Sequence, residues 1–371
     1  MRPKLPEVIV FIAMSLCLFF IAWNKAHSAE INISEVQKAT VYIGVYDENE
    51  KPIQLGSGFF ITPSGMLMTN YHVIHRAENI RIWKYGEFTH YPAIVVGIDP
   101  LADLALLQIA IPANTSDESY ELVKKEPFPH LEFEKDSTTI RVGDEVWAFG
   151  NPLSNRFVTT KGIITTDALP GFLSPFVRQV IHDAVLNSGS SGGPLLNADG
   201  DVVGINTYMM APNNTYSGLG SAVRADTALN SMQKMLSVNY VKHQTAAQYP
   251  ALEIRFVELD DMGTNEVLQK TFPIQKIPNT FGIIVREIEE DGHSYKQGLR
   301  DFDTIIAVNG NPTNDRIQLS NALMPFGIGS KVKMLVIRRG VIVAVQFVLT
   351  KSNFDYLEHY DASKERSRFK P

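Results

Sequence analysis

The sequence predicts a mainly β protein with two folded domains. Its 371 residues exceed what one ordinary core accommodates. Up to residue 223 the apolar residues form short runs between turn residues, without amphipathic helices between the runs, and this pattern is typical of β-barrels and sandwiches. From residue 251 the pattern changes to strands, short helices and a hairpin, which indicates a second, different domain.

The first predicted domain covers residues 31–241 and contains two groups of strands. Residues 111–139 are polar and contain proline, so they are predicted to form a surface connection between the groups. The stretches 168–176 and 208–217 are rich in Gly, Pro, Asn and Ser and are predicted to be mobile loops. The predicted elements are a helical turn at 33–39, strands at 40–46, 58–62, 80–83, 93–98, 105–109, 146–149, 162–166, 179–181, 194–196, 202–206 and 220–223, and a closing amphipathic helix at 225–241.

The second predicted domain covers residues 251–350 and follows a connector at 242–250. Residues 351–371 are charged and are predicted to form a disordered tail. The predicted elements of this domain are a strand at 281–288, a helix at 294–299, a strand at 303–308 ending in Asn309-Gly310, a helix at 316–324, and a hairpin of 331–338 with 341–349.

The composition excludes several classes of protein. A net charge of −6 without a long basic run gives no electrostatic footprint for DNA or RNA. The only cysteine, Cys17, lies in the N-terminal apolar segment, so disulfides, catalytic thiols and cysteine zinc sites are not expected in the rest of the chain. The sequence has no Gly-Lys-Ser/Thr phosphate-binding motif, and neither a cofactor nor a metal is expected.

Residues 1–30 have the pattern of an export signal or a membrane anchor. Arg2 and Lys4 precede an apolar run at 8–23, which would span about 24 Å as a helix. That length is short for a membrane span and long for a cleaved signal, so cleavage near Ala29 and retention as an anchor both stay open. Either outcome puts the following domains on the outer side of the membrane.

The run Asn187-Ser188-Gly189-Ser190-Ser191-Gly192-Gly193-Pro194 carries the most chemistry in the sequence. Its glycines let the backbone fold tightly, so that the amides of Gly189 and Ser191 can converge beside the Ser191 hydroxyl and form an oxyanion hole. Ser191 is therefore the predicted nucleophile. The alternative is an ordinary Gly/Ser turn between two strands.

A serine nucleophile needs a base, and the base needs a group that orients it. His72 is the predicted general base, and Asp103, within an apolar strand, is predicted to hold the His72 ring. The order His, Asp, Ser along the chain is that of the chymotrypsin-type triad. His75 and Asp99 are the competing candidates, because His72 and His75 are spaced as metal ligands can be and Asp99 lies four residues before Asp103.

In combination these motifs resemble the HtrA (Deg) family of trypsin-like serine proteases. The resemblance covers about residues 33–350 and implies a chymotrypsin-like double β-barrel, one C-terminal PDZ-like domain and assembly into a homo-oligomer, a trimer in the family. The motifs that carry it are Thr-Asn-x-His-Val at 69–73, Ala-Asp-Leu-Ala-Leu-Leu at 102–107, the run at 141–152, Gly-x-Ser-Gly-Gly-Pro-Leu at 189–195, Gly-Ile-Asn-Thr at 204–207 and the PDZ-like run at 295–310.

The resemblance also implies which residues bind substrate. The floor of the specificity pocket would lie about six residues before the nucleophile, and its apolar character predicts cleavage after small or medium aliphatic residues. The PDZ-like domain would capture hydrophobic C-terminal peptides, although Glu253 replaces the glycine of the family's binding loop. The implied pocket residues are Val185, Leu186, Thr207, Leu219, Gly220 and Ser221, and the implied peptide-binding residues are Leu252, Glu253 and Ile254.

The sequence thus predicts an ATP-independent serine endopeptidase of protein quality control. It would act on misfolded polypeptides in the periplasm or at the outer side of the membrane, with polypeptides and further copies of itself as partners. Two alternatives stay open. One is a membrane-anchored regulatory protease that cuts a specific signalling substrate, and the other is an inactive peptide-binding or chaperone scaffold.

Overall fold

The computed structural model describes most of both predicted domains. The predicted signal or anchor at 1–30 lies outside the described residues, as does the predicted tail apart from Lys351. Among the described residues, no helix is long and apolar enough to cross a membrane. The described ranges are 31–112, 120–122, 127–151, 157–170, 177–210, 217–238, 246–247, 250–252, 255–258, 282–286, 288, 290, 292–323 and 325–351.

The first barrel begins after a short helix and closes by a pairing between its third and sixth strands. Along its first strand Val41, Ile43 and Val45 alternate with less apolar neighbours, and all three point into the core. This alternation fixes which face of the strand is inside. The elements are α1 (Ile33–Ala39), β1 (Thr40–Tyr46), β2 (Pro52–Phe60), β3 (Met66–Thr69), α2 (Tyr71–Ile74), β4 (Asn79–Lys84), β5 (His90–Asp99) and β6 (Leu104–Pro112).

The segment between the barrels is more than the predicted surface connection at 111–139. A short strand, β7 (Tyr120–Leu122), pairs with β6. Phe128, Leu131 and Phe133 are buried, and the Phe128 ring lies 4.7 Å from that of Phe60. The prediction of a surface connection was therefore wrong for these three residues. They are isolated apolar residues among polar ones and follow neither a helix nor a strand period, so the sequence pattern did not indicate their burial.

The second barrel is closed, in the order β10-β13-β12-β11-β8-β9. Its strands are longer than predicted, because β9 pairs with β10 as far as Pro170 and β12 pairs with β13 as far as Met210. The two predicted loops therefore begin later than expected, and their remaining parts, 171–176 and 211–216, lie outside the described residues. The strands are β8 (Glu145–Gly150), β9 (Val158–Pro170), β10 (Arg178–His182), β11 (Pro194–Leu196), β12 (Val202–Met210) and β13 (Leu219–Arg224).

A helix, α3 (Ala225–Val238), follows the second barrel and packs back onto the first. Met235 lies so close to Gly97 on β5 that a Cβ at Gly97 would be 2.6 Å from the Met235 Cβ. The Ser231 hydroxyl donates to Asp99 at 2.5 Å. The predicted amphipathic helix is thus present, and its buried face joins the two barrels.

The C-terminal region contains a separate sheet in the order β15-β16-β17-β19-β20, with β18 beside β17. The predicted hairpin turns at Arg339-Gly340, where both residues have positive φ, +50° and +82°. The mainly β architecture with two barrels agrees with the sequence prediction. The elements are β14 (Pro250–Ala251), β15 (Arg255–Glu258), β16 (Ile283–Arg286), α4 (His293–Lys296), β17 (Thr304–Val308), β18 (Asn311–Pro312), α5 (Arg316–Leu323), β19 (Lys331–Arg338), β20 (Val341–Val348) and β21 (Thr350–Lys351).

Candidate active site

His72 and Asp103 meet at one end of the first barrel. His72 lies on α2, directly after β3. Asp103 lies in the turn between β5 and β6 with a φ of +54°, so its predicted place within a strand was wrong, because β6 begins only at Leu104. The His72 Nδ1 is 2.7 Å from one carboxylate oxygen of Asp103, and the backbone N–H of His72 donates to the other at 2.9 Å. A carboxylate only accepts hydrogen bonds, so the proton shared by this pair lies on Nδ1, and the neutral ring has its lone pair on Nε2.

The two competing candidates are engaged elsewhere. Both carboxylate oxygens of Asp99 accept hydrogen bonds, from the Ala102 N–H at 3.0 Å and from the Ser231 hydroxyl. The His75 Nδ1 contacts the Tyr71 hydroxyl at 2.9 Å. Burial, assisted by Arg76, lowers the pKa of His75. Asp99 therefore anchors α3, and His75 packs with Tyr71.

The turn that carries Ser191 depends on its glycines. Gly189 and Gly192 have φ values of +99° and +86°, which L-residues rarely adopt. The Cβ of any other residue at Gly192 would lie 2.1 Å from the Ser57 carbonyl oxygen, and at Gly193 it would lie 2.0 Å from the Phe149 carbonyl oxygen. The turn is thus pressed against both barrels.

The three serines of this turn have different surroundings. Ser188 is exposed, whereas the Ser190 hydroxyl accepts a hydrogen bond from the Asn187 N–H at 3.2 Å. The Ser191 hydroxyl donates to the Thr207 carbonyl oxygen at 2.9 Å. Because a hydroxyl has one proton, Ser191 cannot donate to His72 in this arrangement. The hydroxyl of the proposed nucleophile is therefore hydrogen-bonded to the second barrel, through Thr207 on β12.

The proposed oxyanion hole consists of the backbone N–H groups of Gly189 and Ser191. Within the described part of the chain, neither N–H donates to a backbone carbonyl. The neighbouring N–H groups are occupied, because Ser190 donates to the Asn187 carbonyl at 2.9 Å and Gly193 donates to the Ser190 carbonyl at 3.0 Å. Two donors of one turn are thus left to meet a developing negative charge.

Ser57, a buried serine on β2, holds the turn that carries Ser191, which we call the nucleophile turn. Its role was not predicted from the sequence. The Ser57 hydroxyl donates to the Gly189 carbonyl at 2.7 Å, and the Ser57 N–H donates to the Ser191 carbonyl at 2.9 Å. The Asn151 backbone N–H in turn donates to the Ser57 hydroxyl at 2.9 Å. The available signal was a serine with a glycine on each side, Gly56 and Gly58, inside an apolar strand.

Asn70 is a second residue that sequence reasoning left without a role. Its side-chain amide donates to the Asp103 carbonyl at 2.8 Å and to the Thr207 hydroxyl at 3.2 Å. Asn70 stands at the N-cap position of α2, where asparagine usually caps the helix, yet its side chain makes no capping hydrogen bond. It connects the Asp103 turn with the strand whose carbonyl accepts from Ser191.

The structure brings only some of the predicted pocket residues into mutual contact. Leu186 is buried and packs against Gly220, where a Cβ would lie 2.6 Å from the Leu186 Cδ1. Val185, the predicted floor, has half of its surface exposed, and its carbonyl accepts from Thr160. Thr207 and Ser221 are buried, and Leu219 is partly exposed.

His182 on β10 is a buried titratable group beside these residues. Its side chain is fully buried, and neither ring nitrogen has a hydrogen-bond partner among the described residues. Burial lowers the pKa of His182 to about 4, and the neighbouring Asn206 side chain opposes this shift only in part. The ring is therefore neutral at physiological pH.

The predicted peptide-binding loop of the C-terminal region is described at one residue. Leu252 is buried, and its carbonyl accepts a hydrogen bond from the Ser294 hydroxyl. Glu253 and Ile254 lie outside the described residues. Among the described strands, the following one, β15, forms one edge of its sheet.

Comparison with known families agrees with this architecture. Residues 56–205 match the family model of a trypsin-like peptidase domain, and residues 250–348 match that of a PDZ domain. The fold and the matched domains define a trypsin-like peptidase region followed by a PDZ domain. The order of these two domains agrees with the resemblance to the HtrA family that the motifs of the chain carry.

Several relatives resemble most of this chain. It is 30% identical over 325 residues to a probable periplasmic serine endoprotease DegP-like of Rickettsia prowazekii, which covers 86% of this chain and 57% of that protein. It is 29% identical over 308 residues to the periplasmic serine endoprotease DegP of Escherichia coli (strain K12), and this match covers 82% of this chain and 59% of that protein. The chain thus spans a little over half the length of these curated relatives.

Solved structures share the fold. The HtrA-type protease AlgW with decapeptide superposes with a TM-score of 0.65 at 22% identity, covering 87% of this chain and 100% of that one. The serine endoprotease from Yersinia pestis gives a TM-score of 0.60 at 24% identity, covering 87% and 99%. At such identities the likeness concerns the fold.

Replacing Ser57 with alanine tests the contact between the first barrel and the nucleophile turn. We expect Ser57→Ala to lower the free energy of unfolding by about 2 kcal/mol, because the Asn151 N–H and the Gly189 carbonyl lose a buried partner. Chemical denaturation measures this loss. Ser237→Ala, an exposed serine at the end of α3, is the control, and equal midpoints for the two variants would contradict the role of Ser57.

The buried His182 predicts a pH dependence of stability. Its folded pKa of about 4 lies below the ordinary 6.5, so the unfolded chain binds the extra proton first. Stability is therefore intact above about pH 6.5 and falls as the pH drops toward 4, by roughly 3 kcal/mol from this group.

We expect His182→Gln to flatten that part of the stability profile, measured by denaturation at a series of pH values. His90→Gln, at an exposed histidine, should leave the slope unchanged. If the stability of His182→Gln fell with decreasing pH as steeply as that of the wild-type chain, this imidazole would not be buried in the neutral form.

Proposed function

We propose that this chain is a serine endopeptidase that cleaves misfolded or unfolded polypeptides outside the cytoplasm, without ATP. The observation that carries the proposal is the pairing of His72 with both carboxylate oxygens of Asp103, on the barrel that faces the glycine turn of Ser191. Two further facts support the location: residues 1–30 have an export pattern, and the curated relatives are named periplasmic serine endoproteases.

The proposed mechanism assigns one role to each residue of the set. His72 accepts the Ser191 proton at Nε2 while its Nδ1–H stays on Asp103, which stabilises the imidazolium that forms. The Ser191 oxygen attacks the peptide carbonyl, and the amides of Gly189 and Ser191 stabilise the oxyanion. His72 then protonates the leaving amine, and water releases the acyl group by the same steps.

Catalysis requires the Ser191 hydroxyl to leave the Thr207 carbonyl and turn toward His72. β11 pairs with β12 only as far as Ile205, and beyond that point no described strand covers this edge of β12. An extended substrate can add to this edge and compete for the Thr207 carbonyl with its own N–H. Substrate binding would then release the nucleophile.

The hydrogen bond from Ser191 to Thr207 also supports a second candidate function. A regulatory peptidase that is anchored by residues 1–30 and cuts one signalling substrate must stay idle until it is triggered. A nucleophile whose proton rests on a backbone carbonyl is idle in this sense. An inactive peptide-binding scaffold lacks such support, because it has no use for the contact between His72 and Asp103.

The proposed specificity follows from an apolar pocket. Val185, Leu186 and Leu219 have no charge to pair with lysine or arginine, so cleavage after small or medium aliphatic residues is favoured. Thr207, Gly220 and Ser221 complete the proposed pocket.

The C-terminal domain is proposed to bind the hydrophobic C-termini of substrates. Because β15 is an edge strand, a peptide can add to it, and the loop at 252–254 precedes that strand. Glu253 is expected to weaken binding by placing a negative charge beside the peptide carboxylate. Association of several copies of the chain, a trimer in the family, is part of the same proposal, as is an anchored form.

Hydrolysis of an unfolded protein by the purified full chain tests the proposed function. We expect Ser191→Ala to abolish cleavage and Asp103→Asn to lower kcat/KM by about 10³- to 10⁴-fold, because His72 then loses its orienting carboxylate. Cleavage sites read by mass spectrometry should follow small aliphatic residues. Ser237→Ala serves as the matched control.

Two results would contradict this proposal. Wild-type activity in the folded Ser191→Ala variant would remove Ser191 as nucleophile. Absence of cleavage by the folded wild-type chain, with or without added C-terminal peptides, would favour the scaffold.

A further inference from the structure

His182 has no role in the proposed mechanism, yet it occupies a costly position. Its side chain is fully buried, and both ring nitrogens are without a hydrogen-bond partner in the described part of the chain. A buried polar atom without a partner costs roughly 1–3 kcal/mol, and native proteins contain few of them. The Asn206 side chain and the Ala184 backbone approach the ring, but neither contact has the geometry of a hydrogen bond, so the imidazole has unused hydrogen-bonding capacity inside the barrel.

The position of the ring connects it with the proposed specificity pocket. His182 lies directly across from Gly220 in the pairing of β10 with β13, so both face the same side of the sheet. A Cβ at Gly220 would lie 2.9 Å from the His182 Cε1 and 2.6 Å from the Leu186 Cδ1. The ring thus lies beside Gly220 and Leu186, two residues of the proposed pocket.

A second unpaired polar atom lies nearby. The Asn206 side chain approaches the His182 ring closely enough to favour its protonated form, although its Oδ1 has no partner of hydrogen-bond geometry among the described residues. The neutral imidazole has one nitrogen that donates and one that accepts. A hydroxyl, which also donates and accepts, can satisfy a ring nitrogen and the Asn206 oxygen together.

We propose that His182 is a specificity-determining residue that hydrogen-bonds the side chain of the residue on the amino side of the cleaved bond. The inference rests on the proposed peptidase function and deepens it, because it names the substrate class. Small aliphatic residues still enter the apolar pocket, and a residue of the same size with a hydroxyl gains one further hydrogen bond to the ring. Threonine at this position is therefore preferred to valine, which has the same shape without the hydroxyl.

Access to the ring requires one side chain to move. The ring is closed off from solvent, and the Leu186 side chain lies beside it next to Gly220. A substrate side chain that displaces the end of Leu186 meets the imidazole behind it. Gly220 leaves space for this movement, because a Cβ at that position would collide with the side chains of Leu186 and His182.

The test compares two peptides that differ only in threonine or valine at the position before the cleaved bond. For the full wild-type chain we expect kcat/KM to be about tenfold higher with threonine, the size of one hydrogen bond in a closed site. His182→Leu should bring the ratio to one or below, and His182→Gln, which keeps a donor and an acceptor, should restore part of it. His90→Leu, at an exposed histidine, is the control and should keep the wild-type ratio.

The ratio separates this inference from the proposed function. A wild-type chain that cleaves both peptides equally, or prefers valine or glutamate, overturns the inference and leaves the peptidase intact. A tenfold ratio that persists in folded His182→Leu overturns it as well. If His182→Leu does not fold, the wild-type and His182→Gln ratios still decide. Failure of the folded wild-type chain to cleave any unfolded polypeptide, by contrast, refutes the peptidase function itself.

Discussion

The contact between the nucleophile turn and the first barrel is the constraint on which the candidate site depends. His72 and Asp103 belong to one barrel and Ser191 to the other, so their relation is only as fixed as the seam between the barrels. Gly192 and Gly193 let the turn approach the carbonyls of Ser57 and Phe149 at distances that no side chain permits. A small displacement at this seam would move Ser191, the proposed nucleophile, away from His72, its proposed base, and would cost orders of magnitude in rate.

Buried hydrogen bonds hold the seam on both sides of the nucleophile. Ser57 fixes the carbonyls of Gly189 and Ser191, and Asn70 joins the Asp103 turn to Thr207. In a buried site such bonds restrict motion because their loss leaves unpaired polar groups. The Ser191 hydroxyl itself rests on the Thr207 carbonyl. The scaffold is therefore fixed while the Ser191 proton stays on the Thr207 carbonyl. His182 and the Asn206 side chain carry buried polar atoms without hydrogen-bond partners beside the proposed pocket, within the described region.

The sequence predicted the fold class, the strands with clear alternation and the pairing partners His72 and Asp103, because local pattern and motif carry that information. It did not predict the burial of Phe128, since isolated apolar residues have no period. It did not give roles to Ser57 and Asn70, since their partners lie 132 and 137 residues away. The direction of the Ser191 hydroxyl was also out of reach, because it depends on how two barrels meet rather than on either motif.

The proposed mechanism requires substrate to release the Ser191 hydroxyl, which donates to the Thr207 carbonyl at rest. The rate at which a fluorophosphonate labels Ser191 in the purified full chain tests this most directly, with and without a reduced, alkylated protein as substrate, and with Ser191→Ala as the blank. The account predicts slow labelling of the chain alone and faster labelling when the unfolded protein is present. Equal, fast labelling in both conditions would contradict it, because Ser191 would then already be directed to His72 before substrate arrives.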